Sequence, residues 1–324
     1  MGLWLIGSDT LARSRFTVSP LAETVGRLLI LVGRPTPAGE RGWLDTHRRA
    51  YRDRIAADPF AALFVRVAFR RSWLPGFLTV PPRPGDRGVD DELDRVRATP
   101  VDAYLDDLAV TLQGPVPEGL RVPDGAARVA DLLSWVWRHG VAPDWSWRVR
   151  AFEADVVART QQLSAGGWAT ALDAMRPGMR WLGDGRLQIN TYDYPPHDIS
   201  GGELVFIPAT AHRGWVASDP PQRRYAVVYP CSGLLARPRT GLAPESLARL
   251  LGPVRAGILT ALDTPKSTTQ LVGLTGHGLG SVGGHLRVLL DARLVGRRRS
   301  GRSVLYYRTA AGDDLVRVQS QPGV

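Results

Sequence analysis

Cys231 is the only cysteine in this 324-residue chain. No intrachain disulfide can form, so the fold rests on its core, and a reducing cytoplasm is the expected compartment. Lysine is almost missing as well: Lys266 stands alone, and the other 40 basic residues are arginine. That bias is read as the mark of a GC-rich genome, so where the arginines cluster is informative and the choice of arginine is not. The longest apolar runs, near residues 28–32 and 60–69, fall far short of the ~20 residues a spanning helix needs, so no membrane partner is expected. Residues 1–6 have neither a basic segment nor a long apolar one, and are not read as a signal peptide.

Chemical signatures are equally sparse. There is no glycine-rich phosphate loop, no G-x-S-x-G elbow, and no nucleophile in register with a His-Asp pair. The chain is therefore not expected to be an enzyme, and no cofactor is expected. A closed metal site needs clustered Cys, His or carboxylate ligands. Asp193, His197, Asp198 and His212 lie within 20 residues of one another and could converge, but such pairs in loops more often make turns, and no metal is expected.

What the chain does have is an uneven charge. Its formal net charge is +10. Residues 246–310 hold ten basic and two acidic residues, +8 in all, leaving +3 over residues 1–245 and −1 over the last 14. Length and composition suggest two globular domains. Helical periodicity dominates up to about residue 175, with patterns at 9–15, 20–32, 45–57, 60–69, 89–97, 101–112, 125–139, 145–163 and 168–175. Residues 3–7 could form a short strand. Residues 186–192, 203–207 and 223–229 then alternate or are β-branched, and read as one small sheet appended to a helical body. Residues 232–244 (SGLLARPRTGLAP) read as a linker, placing a boundary near residue 240. The expected class is α+β: a helical 1–240 domain with a small sheet, then a 241–324 domain.

Residues 253–308 are the most informative stretch. Pro253 suits a first helical position, and Val254, Ile258, Leu259 and Leu262 follow at helical spacing. Asp263-Thr264-Pro265 ends that helix. Ser267-Thr268-Thr269-Gln270 spells a capping box for a second, short helix. After a turn at Gly276-His277-Gly278, a third helix carries Leu279, Val282, Leu286, Leu289 and Leu290 on one face. Two basic, alternating runs flank Ser300-Gly301 as a β-hairpin. Helix, helix, turn, helix and basic hairpin is the layout of a winged helix-turn-helix, which sets its third helix in a DNA major groove.

The segments LLGPVRAGILTAL, STTQL, HLRVLLDARLV and GRSVLYYR resemble the DNA-binding domain of ArsR-type transcriptional regulators, over about residues 246–310. RFTVSPLAE, WLPGFLTVPP and GGELVFIPA resemble an uncharacterised domain that precedes such a module in some actinobacterial regulators. The resemblance implies a sequence-specific DNA-binding regulator, with double-stranded DNA as partner and a homodimer as its working form. A small-molecule effector of the N-terminal domain is the further partner considered. Many ArsR-type proteins sense metals, but this chain has no paired cysteines.

On this reading the recognition helix spans about 279–292 and the wing about 295–308. Thr268 and Thr269 open the preceding helix. Gly280, Ser281, Gly284, His285 and Arg287 lie on or beside the face opposite the leucines, where base edges would be read. Arg297, Arg298, Arg299 and Arg302 of the wing would meet backbone or minor groove. Strand alternation puts Arg297 and Arg299 on one face and Arg298 on the other, so not all three can touch DNA. Gly280, Gly283 and Gly284 admit two readings: close approach of backbone to DNA, or a weak helix held by its leucines. Trp135, Trp137, Trp145 and Trp147 could line an apolar pocket or simply fill core. Two other classes remain open: an enzyme carrying this module as a regulatory appendage, and a module that binds protein instead of DNA.

Overall fold

A computed structural model describes residues 2–37, 39–69, 73–173, 175–192, 194–231, 245–262, 265–300 and 303–320. The chain is α+β and divides into two compact units: Met1–Trp145 with Gln162–Pro230, and Ser146–Gln161 with Cys231–Val324. The linker read at 232–244 lies outside the described residues, as do Asp263 and Thr264.

The first unit opens with β1 (Leu3–Leu5), α1 (Ser8–Ala12), β2 (Arg15–Phe16) and α2 (Pro20–Leu31). It continues with α3 (Arg41–Ala56), α4 (Pro59–Ala68), α5 (Val89–Arg97), α6 (Val101–Leu112) and α7 (Gly125–Val136). Next comes α8 (Trp145–Asp173), whose residues 146–161 fall to the second unit. The strands β3 (Arg180–Gly183), β4 (Arg186–Gln188), β5 (His197–Asp198), β6 (Glu203–Ala209), β7 (Trp215–Asp219) and β8 (Arg224–Pro230) complete it.

Local chemistry sets the helix starts. Pro20 and Pro59 follow Ser19 and Asp58, whose side-chain oxygens each accept a backbone N–H three residues on, at 3.0 Å. Glu92 of α5 adds a tertiary cap to α2, accepting from Leu21 N at 2.5 Å and Ser19 Oγ at 3.0 Å. α3 begins at Arg41, four residues before the periodicity suggests, because Trp43 and Leu44 are buried on its first turn. The patterns at 145–163 and 168–175 merge into α8, with Gly167 between them at φ 65°, a conformation that favours glycine.

Two sheets replace the single small one expected, with strand orders β3-β4-β1-β5 and β2-β6-β8-β7. Each recruits a strand from the first 16 residues: β1 pairs with β4 and β5, and β2 pairs with β6. Strands of two or three residues carry too little alternation to reveal such pairing. β6 and β8 run parallel, and their residues are buried almost throughout. Val205, Ile207, Ala226 and Val228 face the helical core of Val25, Leu28, Phe64, Leu93, Leu108 and Leu133. Leu204, Phe206, Tyr225 and Val227 face a second core with Trp4, Leu172, Met175 and Leu187. A sheet covered on both faces explains the near-continuous apolar runs.

Polar groups also knit this unit together. Arg27 is fully buried, bonded to Glu23 at 3.0 Å and Glu40 at 2.6 Å, and lies 4.3 Å over the Trp43 ring. Burial works against its charge, but Glu40 and Glu23 more than offset that and hold the guanidinium ionised.

In the second unit, residues 146–161 of α8 join α9 (Glu245–Leu251), α10 (Pro253–Ala261), β9 (Lys266–Ser267) and α11 (Thr268–Thr275). Then come α12 (Leu279–Asp291), β10 (Val295–Ser300), β11 (Ser303–Arg308) and α13 (Ala310–Ser320). The core gathers Ile258, Leu259, Leu262, Leu271, Val272, Val282, Leu286, Leu289 and Val295, with Ala154 from α8. A single cut near residue 240 leaves out this α8 segment. It fits because small residues meet: a Cβ at Gly273 would stand 3.3 Å from Ala151 Cβ. Among the described residues, no helix is long and apolar enough to cross a membrane.

Candidate nucleic-acid interface

Ser267 and Gln270 form the reciprocal capping box their spacing predicts. Gln270 N donates to Ser267 Oγ at 3.2 Å, and Ser267 N donates to Gln270 Oε1 at 2.5 Å. The box fixes where α11 starts and leaves Thr268 and Thr269 half-buried in its first turn. Gly276 ends α11 in the left-handed region at φ 72°, its N–H reaching Val272 O at 3.0 Å. Three residues later α12 begins.

The α12 leucine face is buried at Val282, Leu286 and Leu289. Its other side is open: Gly280, Ser281, Gly283, Gly284, Arg287 and Asp291 are exposed, and His285 is half-buried. A Cβ built at Gly280, Gly283 or Gly284 meets nothing within 4 Å. Nothing inside the fold requires these glycines. Val288 is exposed on the same open side, opposite the leucines, as helical spacing requires.

The hairpin pairs Arg297 with Tyr306, Arg298 with Leu305 and Arg299 with Val304, and Ser300 stands opposite Ser303. β11 is held in turn by β9, with Leu305 opposite Ser267 and Tyr306 opposite Lys266, so the hairpin is anchored to the capping-box segment. Arg297, Arg298 and Arg299 are all exposed, and Arg297 and Arg299 share one face, as alternation requires. Among the described residues, none of these three, nor Arg287, makes an ion pair. Arg308, by contrast, is bonded to Asp313 at 2.8 Å. Arg302 lies outside the described residues.

The remaining sequence candidates are scattered. Trp135 stacks on His139 with ring centroids 4.6 Å apart, and Trp137 meets Trp145 edge-on at 5.1 Å, but Trp147 is buried in the other unit. His197 sits on β5 with its ring against Tyr225, His212 is exposed in the loop after β6, and Asp193 lies outside the described residues. Among the described residues, no group of three or more His, Cys, Asp or Glu could hold a metal ion. Comparison with protein-family models, curated proteins and solved structures gave no match.

Proposed function

We propose that the chain is a sequence-specific DNA-binding transcriptional regulator of the ArsR type, with residues 253–308 as a winged helix-turn-helix. In this reading α12 enters the major groove and the β10–β11 hairpin is the wing. The observation that carries it is that Arg287 on the helix, and Arg297 and Arg299 on one face of its adjoining hairpin, are exposed and without ion pairs among the described residues. Guanidinium groups left uncompensated on consecutive elements suit phosphate contact, which supplies affinity but no sequence information. Ser281 and His285 then supply donors to base edges, and the glycines let the α12 backbone come close.

The regulator works as a homodimer on a near-palindromic site, as the two-fold symmetry of such operators requires. Its first unit, much larger than the module needs for its own stability, carries effector sensing, dimerisation or both. Selection of bound sequences from random duplexes tests the proposal. A recovered near-palindromic consensus supports it, and failure to enrich any sequence rejects sequence-specific binding.

A further inference from the structure

Arg176 follows α8 in the first unit and has no carboxylate partner among the described residues. Four other buried or half-buried arginines do: Arg27 has Glu23 and Glu40, Arg95 has Asp86, Arg159 has Asp155, and Arg224 has Glu203. The Nε and Nη1 of Arg176 are buried with no hydrogen-bond partner. Its Nη2 makes one long contact, donating to Gly214 O at 3.5 Å. Burial pushes its pKa down to about 10, and the charges that act against this are the hydroxyls of Tyr194 and Tyr192, not an acid. A desolvated charge left unpaired in this way is expensive to keep.

Gly214 closes the loop 210–214, which leaves the carboxyl end of β6. β2, β6 and β8 are mutually parallel, and the carboxyl ends of parallel strands are where open sheets with helical cover bind ligands. Tyr194 Oη accepts from Asn190 Nδ2 at 2.8 Å, which leaves the phenol proton free to donate. Its ring meets Trp73 edge-on at 6.1 Å. Tyr192 is exposed, and Arg176 keeps part of its own surface open.

We propose that Arg176, with the Tyr194 hydroxyl, anchors a binding site for a small oxyanion, the carboxylate or phosphate group of a metabolite-sized ligand. The guanidinium offers two parallel N–H groups to a planar or tetrahedral oxyanion, and the ligand supplies the counter-charge the protein omits. This site stands apart from the DNA-binding reading, because its test contains no DNA.

The full chain is melted in chloride at fixed ionic strength, with increasing inorganic phosphate in one series and acetate in another. A saturable rise in melting temperature is expected with at least one probe, since a ligand that binds only the folded state stabilises it. A response to phosphate alone assigns a phosphate ligand, and a response to acetate alone assigns a carboxylate. Arg176→Met should fold, melt in chloride no lower than the parent, and lose at least tenfold in apparent affinity. Arg213→Gln, an exposed neighbour, should keep the response. No saturable response to either probe, or an unchanged response in Arg176→Met, overturns the site. So does an Arg176→Met chain that fails to fold, because the guanidinium would then be serving the protein and not a ligand.

Discussion

Replacing Gly283 and Gly284 with alanine separates the two meanings of the α12 glycines. Both sit inside the helix Leu279–Asp291, on its exposed side, and an added Cβ meets nothing within 4 Å at either. Neither has a positive φ, so alanine fits the backbone as it stands. Glycine costs a helix interior about 1 kcal/mol relative to alanine, so the double variant should gain about 2 kcal/mol. At roughly 4–8 °C per kcal/mol for a unit of this size, the second unit should melt some 10 °C higher. If the glycines serve close approach to DNA, two new methyl groups must intrude between helix and groove. Affinity for the selected site should then fall at least tenfold, about 1.4 kcal/mol, while stability rises. Calorimetric melting and fluorescence-anisotropy titration on the same preparation read both quantities. A variant that is more stable and binds DNA unchanged refutes close approach and leaves a weak helix held by its leucines. A variant that is not stabilised refutes the assignment of these positions to an open helical face.

The other expectations span both units. Burial pushes Glu92 up to about 7 from 4.5, against the bonds from Leu21 N–H and Ser19 that favour its anion. Between those values the native state holds a proton that the unfolded chain has lost, so this group's contribution to stability falls as pH rises, by about 3 kcal/mol in all. Glu92→Gln, whose Oε1 can accept both bonds now made to one oxygen, should flatten that slope between pH 4.5 and 7; an unchanged pH profile would show that Glu92 is ionised throughout. Gly273→Leu should cost about 1–3 kcal/mol by forcing α11 away from Ala151, read as a lower melting temperature of the second unit, and a neutral result would deny the packing of residues 146–161 there. For the same reason a fragment of residues 240–324 should be less stable than the second unit in the full chain, measured by hydrogen exchange at α11. Ser281→Ala and His285→Ala should relax sequence preference, at about 1–3 kcal/mol for the cognate site, whereas Arg297→Ala should weaken all sequences alike; the reverse pattern would mean the helix and hairpin roles are misassigned.

The C-terminal elements could be read from sequence because they are signalled locally. A capping box, a glycine turn, a leucine stripe and paired alternating runs each involve residues close in the chain, and each appears where the spacing puts it. Long-range partnerships left no such trace. β1 and β2 are too short to show a period, yet each enters a sheet with strands some 180 residues away. The membership of residues 146–161 in the second unit depends on Ala151 and Ala154, unremarkable in a helix until Gly273 is found opposite. Arg176 does not stand out among 40 arginines in the sequence, since what sets it apart is the lack of an acid partner among the described residues, which only the fold reveals.

The dependence of duplex-DNA affinity on salt tests the central claim most directly. Three exposed arginines without ion pairs among the described residues, Arg287 on α12 and Arg297 and Arg299 on one face of the hairpin, are assigned to phosphates. At about −0.9 per phosphate, the slope of log K against log salt should be about −2.7 per protomer, roughly a fortyfold loss between 50 and 200 mM. Arg297→Ala should make the slope shallower by about 1. An affinity that hardly changes over this range, or a slope untouched by Arg297→Ala, would contradict the account.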